Sequence, residues 1–210
     1  MQFSWWMLLG LLAIAAGSIG VTWLLALRWT RYRRFYQLQD ACRTHGLAVV
    51  PRERAALPGD SALGRLAPFR IRWFLTGGGI TLLRAQSTLQ TYNLLILQIP
   101  TDWPASALRP VRAATCCIDA LELFSYPSTR GVERFTLHGV DPSAARRLDA
   151  SQARGLLPPD IGLLIVGHEL IIDFSERPFD AIEFDRMIAL ARQLAGILPV
   201  PRSAPAEQTA

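Results

Sequence analysis

The chain has 210 residues, with 22 basic and 17 acidic side chains, and every basic residue is an arginine. Because lysine is absent, Schiff-base chemistry, a lysine general base and the lysine of a phosphate-binding loop are excluded. Four arginines directly follow the first apolar stretch, which leaves 18 of the 22 basic residues against 17 acidic ones and a net charge of +1. No basic stripe remains for a nucleic acid to follow, so the sequence predicts no nucleic-acid partner.

The first element is the uncharged stretch Trp5–Leu27. At about 1.5 Å per residue, this stretch can cross a hydrocarbon core of roughly 30 Å. A cleaved signal peptide would need basic residues in front of a shorter apolar run, and a core helix of this length would have a polar face. We therefore predict a transmembrane helix over residues 5–27, preceded by a short external amino terminus over residues 1–4.

The residues that flank this helix predict its orientation. Arginines concentrate on the cytoplasmic side of a span, so the domain is expected in the cytoplasm and the amino terminus outside the inner membrane of a bacterial cell. Aromatic side chains favour the two membrane interfaces, and arginines there can contact lipid headgroups. The predicted headgroup contacts are Arg28, Arg31, Arg33 and Arg34, and the predicted interface aromatics are Trp5, Trp6, Trp29 and Tyr32.

Small residues recur along one face of the predicted span. At about 100° per residue they fall within a narrow stripe, where a second helix could approach closely. The stripe consists of Gly10, Ala13, Gly17 and Gly20. Such residues are also common in membrane helices without any partner, so chance is the alternative. The interpretation predicts that the partners are membrane lipid and either other transmembrane subunits or a second copy of the chain.

Residues 28–46 are predicted to continue the helix into the cytoplasm as a basic stalk. Phe35, Leu38, Cys42 and His45 recur at helical spacing, and Gly46 is a typical residue at which such a helix ends. This apolar stripe could dock either on the domain or on a partner.

The domain is expected over residues 47–199, with a disordered tail over residues 200–210. In its first half we predict a short strand at 47–50, a loop at 52–67, and a hairpin of strands 69–75 and 80–85 that turns at three glycines, Gly77–Gly79. A central strand at 92–99, covered on both faces, should be closed by Pro100 and Pro104. Another strand is predicted within 115–124.

In its second half the sequence predicts a strand at 132–138 and a short helix capped by Asp141, which Pro142 begins. One or two helical turns should follow at 151–157. Strands at 161–166 and 169–174 should form a hairpin whose two-residue turn is Gly167-His168.

The last element is a predicted helix over residues 179–198, with Asp180 and Glu183 as a capping box. Phe184, Ile188 and Leu198 lie on its apolar stripe and are expected to be buried against the sheet. Tight turns between strands imply antiparallel pairing. The predicted fold class is therefore α+β: one amino-terminal transmembrane helix, then a mostly antiparallel sheet with a carboxy-terminal helix packed on it.

Residues that could carry chemistry do not form a recognisable set. Cys42 and His45 could share a metal ion, but two ligands do not close a zinc site. Cys116 and Cys117 should point to opposite faces of a strand and be buried thiols rather than nucleophiles. Acidic residues near the last helix are explained by capping and the helix dipole. We therefore predict no catalytic residues, no metal site and no cofactor.

Two functional classes remain open from the sequence. The first is a non-catalytic accessory or scaffold subunit of an inner-membrane protein complex, held by a single span with a cytoplasmic domain. The second is a membrane-tethered enzyme or ligand-sensing domain, whose site would use His138, His168 or the paired cysteines. The small-residue stripe and the basic stalk favour the first class.

Overall fold

The computed structural model describes residues 5–50, 69–87, 90–127 and 134–198. The predicted external amino terminus, the loop after Pro51 and the tail after Leu198 therefore lie outside the described residues.

The first helix, α1, runs without a break over Trp5–Thr44, 40 residues, so the predicted span and stalk are one helix. Gly46 follows the end of this helix, and its φ of +74° lies in the left-handed region that glycine adopts without strain. The Leu47 amide donates to the Cys42 carbonyl at 2.8 Å, and the Gly46 amide donates to that of Arg43 at 2.9 Å. This pair of hydrogen bonds is a Schellman motif, which satisfies carbonyls at the helix end.

Seven strands among the described residues form one antiparallel sheet. The strands are β1 (Ala48–Val49), β2 (Arg70–Gly77), β3 (Ile80–Gln86), β4 (Thr91–Pro110), β5 (Phe124–Tyr126), β6 (Phe135–Gly139) and β7 (Gly162–Asp173). Their order in the sheet is β1-β2-β3-β4-β6-β5, and β7 pairs with β4 off this path. With the apolar amino-terminal helix and the carboxy-terminal helix, this arrangement confirms the predicted α+β class.

The hairpin of β2 and β3 turns as expected, at Gly78 and Gly79, with φ of +57° and +75°. Two successive positive φ angles are typical of a type I′ turn, which matches the twist of the flanking strands. The predicted alternation along β2 is interrupted, because the register shifts between Ile71 and Trp73.

Two predicted breaks are wrong, because β4 and β7 are long strands that continue through them. β4 passes Pro100 and Pro104, and β7 passes Gly167-His168, so residues 161–174 do not form a hairpin. The strands pair with each other instead, and the register shifts on both sides of the Trp103–Gly167 pair. Proline is tolerated at such bulges, and Gly167 has a φ of +55° there.

The strand predicted within residues 115–124 is also wrong. The chain there forms a 3₁₀ helix, Cys117–Ala120, and β5 begins only at Phe124. Ile118 and Leu121 are nevertheless buried, as the apolar pattern indicated. The burial comes from packing of this segment on one face of the sheet, among residues such as Leu94 and Ile171.

The other face of the sheet carries the helices, which are α2 (Pro142–Ala150), α3 (Ala153–Leu156) and α4 (Ala181–Ile197). Asp141 caps α2, as predicted, by accepting from the Ser143 amide at 2.9 Å. Asp180 caps α4 by accepting from the Glu183 amide at 2.9 Å. The predicted core residues of α4 are confirmed as buried: Phe184, Ile188 and Leu198.

Candidate functional site

The junction between α1 and the domain is built from the last turns of α1 and one face of α4. Leu38 and Cys42 are buried there, with 4% and 0% of their surface exposed, and both belong to the core that contains Phe184 and Ile188. Their spacing of four residues puts them on the same side of α1. The stalk stripe therefore docks on the domain itself, one of the two alternatives that the sequence left open.

A polar contact borders this apolar junction. His45 Nε2 lies 2.9 Å from Asp185 Oδ1, and the His45 ring meets the Phe184 ring edge-on at 5.6 Å between centroids. Burial, and secondly the charge of Asp185, raise the pKa of Cys42 to about 11. Cys42 is therefore a protonated thiol at neutral pH, which suits a packing role and not a nucleophilic one.

One helix in the described part of the chain is long and apolar enough to cross a membrane, over Leu12–Thr30, and none of this stretch is buried. Trp5 and Trp29, predicted at opposite interfaces, are 79% and 73% exposed. The side chains of Trp6 and Tyr32 lie outside the described part, so their predicted positions at the membrane interfaces stay predictions. Unburied apolar surface of this extent requires a partner or a lipid environment.

The small-residue stripe lies on this exposed helix. Ala13, Gly17 and Gly20 are exposed, while Gly10 is not among the residues whose exposure is described. A Cβ atom built on Gly17 or Gly20 would meet nothing within 4 Å. The stripe is therefore open to a neighbour, and its role in helix packing stays a prediction.

The predicted headgroup arginines lie on the same helix, beyond the apolar stretch. Arg28 and Arg33 are exposed, whereas the side chains of Arg31 and Arg34 lie outside the described part. Exposed guanidinium groups at this position are suited to contact lipid phosphates. Lipid contact by the arginines also stays a prediction.

A second site, on the opposite face of the sheet, gathers two thiols and a carboxylate. The ligand atoms of Cys116, Cys117 and Asp173 all lie within 4.8 Å of one another, and all three residues are buried. The carboxylate of Asp173 accepts from the Cys117 amide and from the amide and hydroxyl of Ser175. These bonds tie the 3₁₀ helix to the end of β7.

Burial dominates the electrostatics of this cluster. It raises the pKa of Asp173, although hydrogen bonds from Ser175 and Cys117 act in the opposite direction. The pKa of Cys117 is held well above its usual value by a hydrogen bond with Cys116, by burial and by the charge of Asp173. Without a further cation the Cys117 thiol is therefore protonated at neutral pH.

A cation lies beside this cluster. Arg109 donates from Nε to Asp119 Oδ1 at 2.5 Å and from Nη2 to Oδ2 at 2.9 Å, a bidentate pair, and Asp119 belongs to the same 3₁₀ helix as Cys117. The hydrogen bond to Asp119 raises the pKa of Arg109, and the charges of Cys116 and Asp173 act on it in the same direction.

The histidines do not join the thiols in any described metal-binding group. His138 Nε2 lies 3.0 Å from Thr136 Oγ1, and its pKa is lowered by burial and then by the charge of Arg109. His168 is exposed at the β7 bulge. His45 lies at the α1–α4 junction. Of the residues that the alternative function would use, which are His138, His168 or the paired cysteines, only the cysteines belong to a described metal-binding group.

No protein-family model and no curated protein matches this chain. Among solved structures, the chain is similar to the crystal structure of the mycobacterial trehalose monomycolate transport factor A, TtfA. The TM-score is 0.50 and the identity is 10%, over 80% of this chain and 97% of that chain. A likeness at this identity concerns the fold and agrees with the α+β architecture.

Sequence reasoning missed the thiol–carboxylate cluster. Asp173 is 56 residues from Cys117, and only the pairing of β4 with β7 and the 3₁₀ turn bring them together. No spacing rule for metal ligands covers such a separation. The adjacent cysteines were the available signal, but the assumption of a strand placed their sulfur atoms on opposite faces.

Proposed function

We propose that this chain is a non-catalytic accessory or scaffold subunit of an inner-membrane protein complex, anchored by a single span. The observation that carries the proposal is the continuity of α1. The helix runs unbroken from an exposed apolar stretch that could cross a membrane to turns that are buried against α4. A tether alone would need only a flexible linker. A docked helix instead fixes the orientation of the domain relative to whatever the span contacts.

The junction gives this coupling a physical basis. From Gly20 in the exposed stretch to Cys42 in the core, the helix rises by about 33 Å without interruption. A helix resists bending where no proline, glycine pair or bulge interrupts it, and none lies between these residues. Packing of the span against another transmembrane helix would therefore position the domain, and a change in that packing would move it.

The proposed orientation places the domain in the cytoplasm and the amino terminus outside. Its support is the arginine cluster that begins at Arg28, at the domain side of the span, whereas residues 1–4 carry no charged side chain. The proposed partners are membrane lipid and either another transmembrane subunit or a second copy of this chain, which would use the face that contains Gly17 and Gly20.

The structural neighbour supports an accessory role. It is named as a transport factor for trehalose monomycolate, and the structural similarity covers 97% of its chain. For this chain we propose only an accessory role at a membrane and not the cargo, because a shared fold at 10% identity does not carry a ligand with it.

Co-purification tests the proposal. The full-length protein, with an affinity tag after Ala210, is extracted from its native membranes in a mild detergent and analysed by mass spectrometry and by mass photometry. A stoichiometric membrane-protein partner or a homo-oligomer is the expected result. A monomer that carries a small bound ligand and has no protein partner would contradict the proposal and favour the membrane-tethered enzyme or sensor.

A further inference from the structure

The thiol–carboxylate cluster places a carboxylate beside two thiols in the protein interior, where apolar side chains would pack equally well. Cys116, Cys117 and Asp173 are 1%, 0% and 3% exposed, and their three ligand atoms lie within 4.8 Å of one another. Asp173 forms no ion pair with any residue in the described ranges, because the guanidinium of Arg109, which interacts with it electrostatically, is paired with Asp119. A buried carboxylate is costly without a compensating positive charge of its own. A metal cation would supply that charge.

We propose that Cys116, Cys117 and Asp173 bind one thiophilic divalent cation of the Zn²⁺ class. Zn²⁺ takes thiolate, imidazole and carboxylate ligands and has no geometric preference from its d electrons. Two sulfur ligands favour it over Mg²⁺ and Ca²⁺, which bind through oxygen. Three protein ligands leave one position of a tetrahedron for a water molecule or another small ligand.

The backbone assembles the ligand set by bending at the cysteines. Cys116 is extended, with φ −143° and ψ 136°, and Cys117 is the first residue of the 3₁₀ helix. Adjacent side chains on a regular strand would point to opposite faces. The change of conformation between the two residues instead directs both sulfur atoms to Asp173, the last residue of β7.

Gly162 leaves room for this arrangement. A Cβ atom at Gly162 would lie 2.9 Å from Cys116 Sγ and 3.3 Å from the Cβ of Asp173. The first distance is shorter than non-bonded contacts allow, so a larger residue would displace the Cys116 sulfur. The glycine at the start of β7 therefore borders two of the three proposed ligands.

The surroundings also fit a metal site. The Cys117 amide and the Ser175 amide and hydroxyl orient the Asp173 carboxylate, as hydrogen-bond partners commonly orient metal-ligating carboxylates. Two thiolates and a carboxylate would leave one excess negative charge around a divalent ion, and the Arg109 guanidinium interacts electrostatically with Cys116 and Asp173. Access would come through the 3₁₀ helix, a single turn whose Asp119 is exposed.

Cadmium binding provides the test, because Cd²⁺ is a Zn²⁺ substitute whose thiolate complexes absorb in the ultraviolet. Reduced full-length protein in detergent is stripped with a chelator, titrated with Cd²⁺ and then back-titrated with Zn²⁺. We expect one Cd²⁺ per chain, a thiolate-to-metal absorption band, and loss of that band as Zn²⁺ displaces Cd²⁺. If the reduced parent protein gives no band at stoichiometric Cd²⁺, the proposal is wrong.

Matched cysteine variants locate the site. Mutating a residue that only hydrogen-bonds to a metal ligand typically weakens metal binding about 10-fold to 100-fold. Cys116→Ser and Cys117→Ser, which remove a ligand atom, should weaken Cd²⁺ binding by more than that. Cys42→Ser removes an equally buried thiol at the α1–α4 junction and should leave binding unchanged. Asp173→Asn, which is nearly isosteric, should also weaken binding, and circular dichroism of each variant verifies that it is folded. Equal loss of binding in Cys42→Ser and Cys117→Ser would overturn the assignment.

Discussion

His45 Nε2 lies 2.9 Å from Asp185 Oδ1, a contact between the end of the 40-residue first helix and a residue 140 positions later in α4. Asp185 is 57% exposed in its side chain, and pairs of this kind contribute about 0–1 kcal/mol to stability. The pair therefore orients the end of α1, while the buried side chains of Leu38 and Cys42 supply most of the docking energy.

The first prediction concerns this docking energy. Leu38→Ala should weaken the junction by about 2–5 kcal/mol, because it removes buried methyl groups and leaves a cavity against α4. Cys42, fully buried at the same junction, reports on the change through its rate of alkylation, measured by mass spectrometry of the peptide that contains it. Each loss of about 1.4 kcal/mol in docking free energy should increase the alkylation rate about tenfold, provided that the junction opens and closes faster than Cys42 is alkylated.

The control for this experiment is Asp40→Ala, at a side chain that is 76% exposed on the same helix. Its alkylation rate should stay close to that of the parent, because surface substitutions usually change stability by about 0.5 kcal/mol or less. Equal rates in Leu38→Ala and Asp40→Ala would mean that Leu38 does not hold α1 on the domain.

The second prediction concerns the core under α4. Ile188 is 2% exposed, and Ile188→Asp should unfold the domain because it buries a charge that has no partner. Arg192→Ala, at an exposed residue of α4, should melt like the parent in detergent when followed by circular dichroism. A parental melting temperature for Ile188→Asp would show that α4 does not depend on this contact with the sheet.

The third prediction concerns the open face of the span. Gly17→Leu should reduce recovery of the co-purified partner or homo-oligomer, because it separates helices that would otherwise pack closely. A Cβ at Gly17 meets nothing within 4 Å, so the change should not disturb the chain itself. Ala15→Leu adds bulk on the opposite side of the helix, and pull-down yields from the two variants should differ. Equal yields would mean that the stripe is a coincidence.

The fourth prediction concerns topology. A reporter enzyme that is active only in the periplasm, fused after Ala210, should stay silent, because we expect the arginine cluster beginning at Arg28 to hold the domain side of the span in the cytoplasm. A strong periplasmic signal from the carboxy-terminal fusion would reverse the proposed orientation.

The fifth prediction concerns pH. Arg177 donates to both carboxylate oxygens of Asp160, at 2.7 and 2.8 Å, and this hydrogen bonding lowers the pKa of Asp160. Because the folded-state pKa lies below the unfolded value of about 3.9, the pair stabilises the fold above that pH and the contribution is lost as pH falls through the folded pKa. Asp160 is 38% exposed, so screening limits the effect to about 1 kcal/mol.

Urea unfolding of Asp160→Asn measures this contribution. The variant should be less stable than the parent at pH 7, and the two should converge at an acidic pH below the folded-state pKa of Asp160. Glu122→Gln, at an exposed carboxylate elsewhere on the domain, should follow the parent at both pH values. A constant difference between Asp160→Asn and the parent across this range would mean that packing, and not the ionised pair, accounts for the loss.

Much of the local structure could be predicted because it depends on short-range physics. The uncharged run after Trp5 dictates a continuous apolar helix, and Gly46 ends that helix because glycine adopts positive φ without strain. Asp141 and Asp180 cap the helices that follow them because their carboxylates satisfy amides two or three residues ahead. Ile188 belongs to a series of apolar residues at helical spacing, which places them all on one face of α4, and this face is buried.

Long-range pairing decided what the sequence alone could not. Gly167-His168 is compatible with a two-residue turn, yet β7 continues through it because the whole length of β4 is available as a partner. The same pairing lets β4 continue past Pro100, because Pro100 lies at a bulge, where the amide hydrogen that proline lacks is not needed for pairing. Asp173 reaches Cys117 only because β7 ends beside the 3₁₀ turn. Such contacts depend on which distant segments meet, and the spacing of residues along a chain does not contain that information.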